Sequence, residues 1–142
     1  MTLRKESYEW DGIHPWFWPR IACELPPLKK TPFLKVRRKG GRPRGDDRRA
    51  LSAILWRLRS GGTWSRLPEK FGSAATARRR LAVWMKGDRL ERAWRAYLNQ
   101  QSQLELQRWR DCFASSAFRS APFWRFGLDI IWHREFSPRL GR

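Results

Sequence analysis

Two clusters of basic side chains are the residues of this sequence whose types and spacing could do chemistry. Residues 35–39 read K-V-R-R-K, and Arg78, Arg79 and Arg80 form an uninterrupted run. A guanidinium is a planar fork of donors that can hold a phosphate, or the O6 and N7 atoms of guanine, through two hydrogen bonds. A charge run on a helix is often only a solvated face, but a second cluster in one short chain favours a shared, phosphate-rich partner.

The overall charge points the same way. The 142 residues include 31 Lys and Arg against 13 Asp and Glu, for a net charge of +18. So large an excess of positive charge destabilises a compact fold through self-repulsion. Small soluble domains usually have a net charge of only about 2–8 in magnitude. Nucleic acid is the polyanion we expect, with an anionic membrane surface as the alternative. No apolar run approaches the roughly 20 residues that a membrane span needs.

Other kinds of site have little support in the sequence. Cys23, Cys112 and the two histidines, His14 and His133, lack metal-ligand spacing, and no glycine-rich loop followed by Lys and Ser or Thr is present. Several carboxylates have structural explanations, since Asp46, Asp47 and Asp88 stand where helix caps and first-turn acids belong. We therefore expect no catalytic set, no metal and no cofactor.

The elements that position the basic residues are helical. Apolar spacing predicts helices over residues 47–59, 74–86 and 89–106, with a short helical turn near 65–70. The inward residues of the helix at 74–86 should be Ala77, Leu81 and Trp84. The helical spacing of apolar residues is lost after about residue 107. Near the N-terminus, at most a short helix fits around residues 8–17, because Pro15 disfavours helical geometry at His14.

The predicted fold class is mainly α: a small helix-turn-helix-like bundle with an extended basic N-terminal arm and an irregular C-terminal tail. Three segments follow. Residues 1–40 hold an aromatic and proline-rich segment and the arm, 41–106 the helical domain, and 107–142 a divergent remainder.

In a helix-turn-helix, the helix at 74–86 would enter the DNA groove and the arm would follow the phosphates. The candidate DNA-binding residues are accordingly basic, apart from one threonine on that helix. They are Lys35, Arg37, Arg38, Lys39, Arg42, Arg44, Arg48, Thr76, Arg78, Arg79 and Arg80.

Three motifs resemble a known family. Residues 41–48 read G-R-P-R-G-D-D-R, residues 54–72 read I-L-W-R-L-R-S-G-G-T-W-S-R-L-P-E-K-F-G, and an arginine-rich helix from Thr76 ends in Trp84. This stretch resembles the N-terminal DNA-binding region of bacterial insertion-sequence transposases of the DDE type. Residues 10–27 are similar to the opening of that family, a Trp-initiated helix that runs into a Pro-Pro turn.

The resemblance implies DNA transposition, with double-stranded transposon ends as the partner. The family continues into a strand of the type W-x-x-C-F-(V/I)-D-G-T-F, which carries the first metal-binding Asp. Here Trp109, Cys112 and Phe113 match, but Ser115 stands at the position of that Asp, and Asp111 lies four positions early. The chain also ends at Arg142, before the other two acids. The expectation is a truncated or degenerate copy that binds element ends without cleaving them, and so is not itself an enzyme.

Alternative functions stay open at this point. The chain could be one half of a split transposase completed by a second polypeptide, a basic RNA- or ribosome-associated protein, or a product that never folds. For the favoured hypothesis, another copy or an intact transposase is a possible protein partner. We expect a bacterial cytoplasmic location in association with the nucleoid.

Overall fold

The computed structural model describes residues 10–25, 46–114 and 127–140. The predicted basic arm, residues 25–41, lies outside these ranges except for Leu25, and so does Ser115. The described residues are mainly helical and contain no strand, so the predicted fold class is confirmed.

The chain enters the bundle through a short helical segment. A 3-10 turn, Pro15–Phe17, leads into α1, Trp18–Ala22. The 3-10 turn falls within residues 8–17, where at most a short helix was predicted, but α1 lies beyond that range. His14 is extended, as expected before a proline, and Pro15 begins the helical segment. The side chain of His14 caps the turn, because its Nδ1 accepts from the Trp16 amide at 3.0 Å.

The central helix of the bundle is α2, Asp47–Ser60. Asp46 caps it by accepting from the Arg48 amide at 2.9 Å, and Gly61 ends it in the left-handed conformation with φ of 73°. The predicted helix and both of its ends are confirmed. The side chains from Ala50 to Trp56 are all buried, so α2 is surrounded by the other elements.

The next helix packs directly on α2. After 3-10 turns at Trp64–Arg66 and Glu69–Phe71, α3 spans Ala74–Trp84, two residues shorter than predicted. Its buried residues are Ala77, Leu81 and Trp84, as the helical spacing predicted.

The single helix predicted over residues 89–106 was wrong. The chain forms α4, Arg89–Asn99, and then α5, Gln103–Ala114. The break is stabilised by Ser102, whose hydroxyl accepts from the Glu105 amide at 3.1 Å and so competes with a continuous helix. The strand that the family resemblance implied around Trp109 is also absent from the described part, since 103–114 is helical. Leu106, Trp109 and Phe113 are buried at helical, not alternating, spacing.

The predicted irregular tail is helical where it is described. Residues 127–140 form α6, Leu128–Ile131, a π-helical turn, Trp132–Phe136, and a 3-10 turn, Ser137–Leu140. Their apolar side chains join the main core, where Phe113 stacks on Trp132 at 5.2 Å between centroids. The Trp94 indole N–H donates to the Leu128 carbonyl at 3.0 Å. This nonlocal packing has no signature in local periodicity.

The two cysteines differ in environment. Cys23 is exposed near the end of α1, and Cys112 is buried on α5, where its thiol donates to the Arg59 carbonyl at 2.9 Å. Among the described ranges, no helix is long and apolar enough to cross a bilayer.

Candidate nucleic-acid interface

The exposed face of α3 carries the clearest candidate contacts. Arg78 and Arg79 are exposed, and Thr76 is half-buried beside them. Ser73 caps the helix by accepting from the Thr76 amide at 3.1 Å, and its hydroxyl donates to the Thr76 hydroxyl at 2.9 Å. Arg79 reaches back to that hydroxyl at 3.4 Å. The first turn of α3 is thus fixed by its own polar groups, and two guanidinium groups project beyond it.

Arg80, the third arginine of the run, faces inward toward α2. Its Nε donates to Asp47 Oδ1 at 2.8 Å, and the two side chains are only 14% and 26% exposed. The ion pair joins the first turn of α2 to the middle of α3. Arg80 therefore helps to fix the orientation of α3 and does not stand free for a ligand.

Arg48 is likewise engaged within the protein. Its guanidinium donates to the Ile13 carbonyl at 2.8 Å and lies 3.8 Å from Asp46. On the same segment, the Ile13 amide donates to the Ser52 hydroxyl at 2.9 Å. Arg48 thereby holds residues 10–14, the entry segment of the chain, on α2. Arg48 and Ile13 are 35 residues apart in sequence, so charge patterning cannot indicate this contact.

Arg49 has a positioning contact that the sequence did not single out. Its guanidinium donates to the carbonyls of Lys70 and Glu69 at 3.1 and 3.3 Å, which pins the turn before α3 onto α2. Every residue has a backbone carbonyl, so the residue types at positions 69 and 70 do not identify them as acceptors, and the sequence could not predict this contact. The remaining candidates lie outside the described residues: Lys35, Arg37, Arg38, Lys39, Arg42 and Arg44.

The carboxylates of the described residues are largely paired with arginines. Asp47 pairs with Arg80, and Glu105 pairs with the buried Arg59 at 2.8 Å. Asp88 was predicted to cap α4, but its side chain makes no cap hydrogen bond and instead lies 3.2 Å from Arg92, one turn on. No three His, Cys, Asp or Glu residues within the described ranges group as metal ligands would.

The sequence matches a family of mobile-element proteins over the same elements. A family model described as "Putative transposase of IS4/5 family (DUF4096)" matches residues 16–94, which is more than half of the chain. The match runs from the turn before α1 into α4 and includes α2 and α3. The chain therefore belongs to this IS4/5 transposase family, which confirms the resemblance to insertion-sequence transposases.

One curated relative is similar over about the same length. It is "Uncharacterized protein y4sN" of Sinorhizobium fredii (strain NBRC 101917 / NGR234), 36% identical over 77 residues. The aligned region is 54% of this chain and 54% of the relative, so the chain spans about half the length of that relative. No solved structure matches.

Proposed function

We propose that this chain binds the double-stranded ends of an insertion sequence, with α3 as the helix that enters the major groove. One observation carries the proposal. α3 is held at its cap by Ser73, at its middle by the Arg80–Asp47 pair and at the preceding turn by Arg49, while Arg78 and Arg79 stay exposed. A rigid helix that presents two guanidinium groups is suited to reading guanine edges and gripping phosphates.

Membership in the transposase family supports DNA as the ligand, and the net charge of +18 supports it independently. The helix–turn–helix order of α2, the two 3-10 turns and α3 fits the docking geometry in which the second helix lies in the groove. The arm residues Arg37 and Arg38 would bind phosphates and not bases. Association with nucleoid DNA follows from the same interactions.

We further propose that this chain binds the ends without cleaving them. The support is chemical: Ser115 stands at the position of the first catalytic Asp of the family, and a neutral hydroxyl cannot replace a carboxylate as a ligand for a hard divalent cation. Among the described carboxylates, Asp47 and Glu105 are engaged in ion pairs with Arg80 and Arg59, which makes them poor substitutes for the missing metal ligand.

The test of DNA binding is fluorescence anisotropy with a labelled duplex of the terminal inverted repeat and a scrambled duplex of equal composition, at about 150 mM salt. Arg79→Ala should weaken binding to the repeat by about 1–3 kcal/mol if Arg79 contacts a base. Arg134→Ala, which removes an exposed arginine on the C-terminal π-helical turn, is the matched control and should change little. Equal binding of repeat and scrambled DNA would contradict the proposal.

The absence of cleavage is tested separately. The chain is incubated with the end duplex and Mg²⁺ or Mn²⁺, and the strands are resolved on a denaturing gel. We expect intact strands, and Ser115→Asp should leave them intact as well, because it supplies only one of the three acids that the family uses. Nicking at the element boundary by the unaltered chain would show that this part of the proposal is wrong.

A further inference from the structure

A tryptophan at the start of the family region is unusually exposed. Trp16 is 81% exposed, while Trp56, Trp84, Trp94, Trp109 and Trp132 are almost completely buried. We propose that Trp16 and Arg20 form a second nucleic-acid site, which takes unpaired nucleotides of a DNA strand by stacking a base on the indole and pairing a phosphate with the guanidinium.

The ring of Trp16 is exposed although its backbone is firmly held. Its amide donates to His14 Nδ1 at 3.0 Å, and the following Phe17 carbonyl accepts from the side chain of Gln100, the residue after α4, at 3.0 Å. Pro15 fixes the backbone on the other side. An aromatic ring presented on so rigid a turn loses little conformational entropy when it binds a flat ligand.

Arg20 completes the site from α1, which follows directly on the turn that holds Trp16. The backbone stays in the right-handed helical region at Phe17 and Trp18, so a separation of four residues, about one helical turn, brings the two side chains toward the same face. Arg20 is exposed and has no ion-pair partner among the described residues. An aromatic ring next to a cation at this spacing matches the two chemical features of a nucleotide, its base and its phosphate.

A groove continues from Arg20 between α1 and α4. Its volume is about 520 Å³, which lies in the range of clefts that hold small ligands. It is lined by Arg92, Arg95 and Asn99 of α4 and by Gln100, the residue after that helix. Glu135 holds Arg95 through three hydrogen bonds, the shortest at 2.8 Å, and this contact raises the pKa of Arg95. Arg92 pairs with Asp88 and Arg95 with Glu135, so Arg20 is the arginine of this lining that remains to bind a phosphate.

Single strands are favoured over duplex DNA because the faces of paired bases are hidden by their neighbours in the stack. An exposed indole can cover the face of an unpaired base without first separating stacked base pairs, which costs a few kcal/mol per step in a duplex. This site uses α1 and α4 and does not depend on the proposed contacts of α3.

The test uses the full chain and a fluorescein-labelled 12-nucleotide oligothymidine at low salt, read by anisotropy. Trp16→Ala should weaken binding by about fivefold or more, and Trp16→Phe should retain most of the affinity because the ring remains. Arg20→Ala should reduce the dependence of log affinity on log salt by about 0.7, the value expected for one phosphate contact on a single strand. Leu104→Ala removes a comparably exposed apolar side chain from α5 and should have no effect.

Unchanged oligothymidine binding by both Trp16→Ala and Arg20→Ala would overturn the inference. So would a Trp16→Ala variant that converts a dimer to a monomer in sedimentation while its affinity for the oligonucleotide stays the same, because the face would then contact a second copy. Trp16→Ala should keep the melting temperature, since the ring is exposed. Duplex binding measured in parallel with Arg79→Ala reports on α3 alone, so either proposal can fail while the other stands.

Discussion

The consecutive arginines of α3 carry the same group but serve different purposes, because each step along a helix turns the side chain by about 100°. Arg78 and Arg79 point to solvent, and the next step brings Arg80 onto Asp47. The run itself predicted all three as DNA contacts, since residue type does not record which face is covered. The inward positions Ala77, Leu81 and Trp84 were predictable, and they imply that the arginine nearest to Leu81 lies at the edge of the buried face.

Exchanging these arginines for alanine should separate stability from binding. Arg80→Ala leaves Asp47 without its partner in a mostly buried setting and should lower the free energy of unfolding by about 1–3 kcal/mol. Arg79→Ala should leave it nearly unchanged. Urea unfolding with the double variant Asp47→Ala/Arg80→Ala completes a mutant cycle, and a coupling energy near zero would contradict this role for Arg80.

Removing two charges from the basic arm should have a different effect from Arg79→Ala or Arg80→Ala. Arg37→Ala combined with Arg38→Ala is expected to weaken repeat and scrambled duplexes alike, and to reduce the salt slope by about one for each phosphate that the arm no longer neutralises. The measurement is the duplex titration repeated at several salt concentrations. Weaker binding to the repeat alone would instead indicate that the arm reads bases.

At the scale of elements, residues 127–140 behave as a strap that closes the bundle over α4 and α5. Glu135 binds Arg95 through its side chain, Arg139 donates to Asn99 at 2.9 Å, and Leu128 accepts from Trp94. The amphipathic helices α2 and α3 followed from their own periodicity. The strap did not, because its contacts reach back 34 to 40 residues and include a backbone carbonyl.

The strap should give the protein an acid-sensitive contact. Arg95 lowers the pKa of Glu135 below its usual value, so this pair stabilises the fold above the ordinary pKa of a glutamate, and the contribution is lost as the pH falls through the lowered value. Glu135→Gln should therefore reduce stability at pH 7 and make stability less dependent on pH below about 5. Urea midpoints across pH 3–7 test this. Parallel curves for the two proteins would count against it.

The whole molecule is organised around an aromatic core with a charge inside it. Arg59 is 4% exposed, pairs with Glu105, and lies 4.9 and 5.6 Å from the ring centroids of Trp109 and Trp10. One side chain thus connects the entry segment, α2 and α5. Arg59 lies largely off the apolar stripe of α2, so the helical spacing gives no indication of its burial. The partners that make its burial tolerable are 46 and 50 residues downstream and 49 upstream, so no local pattern reveals them.

Removing this internal charge should have a large effect. Arg59→Leu removes the buried partner of Glu105 and leaves it only the exposed Arg108, and we expect a decrease of about 3–5 kcal/mol in the free energy of unfolding. Arg59→Leu combined with Glu105→Leu should recover a substantial part of that stability, because no uncompensated charge remains. Denaturant unfolding of the three variants measures both effects, and a double variant as unstable as the single one would contradict the explanation.

Because one thiol is exposed and the other is buried, their rates of alkylation can report how often the core opens. An alkylating reagent should modify the exposed Cys23 at once. It should reach Cys112 only when α5 separates from the end of α2, because the Cys112 thiol is buried there and donates a hydrogen bond to the Arg59 carbonyl. Mass spectrometry should therefore show one adduct per folded chain, followed by a second whose rate of appearance reports how often the core opens. If duplex DNA binds the folded chain through α3, it should slow the second adduct and leave the first unaffected. Cys23 lines the groove between α1 and α4, so a single strand bound there should slow the first adduct too.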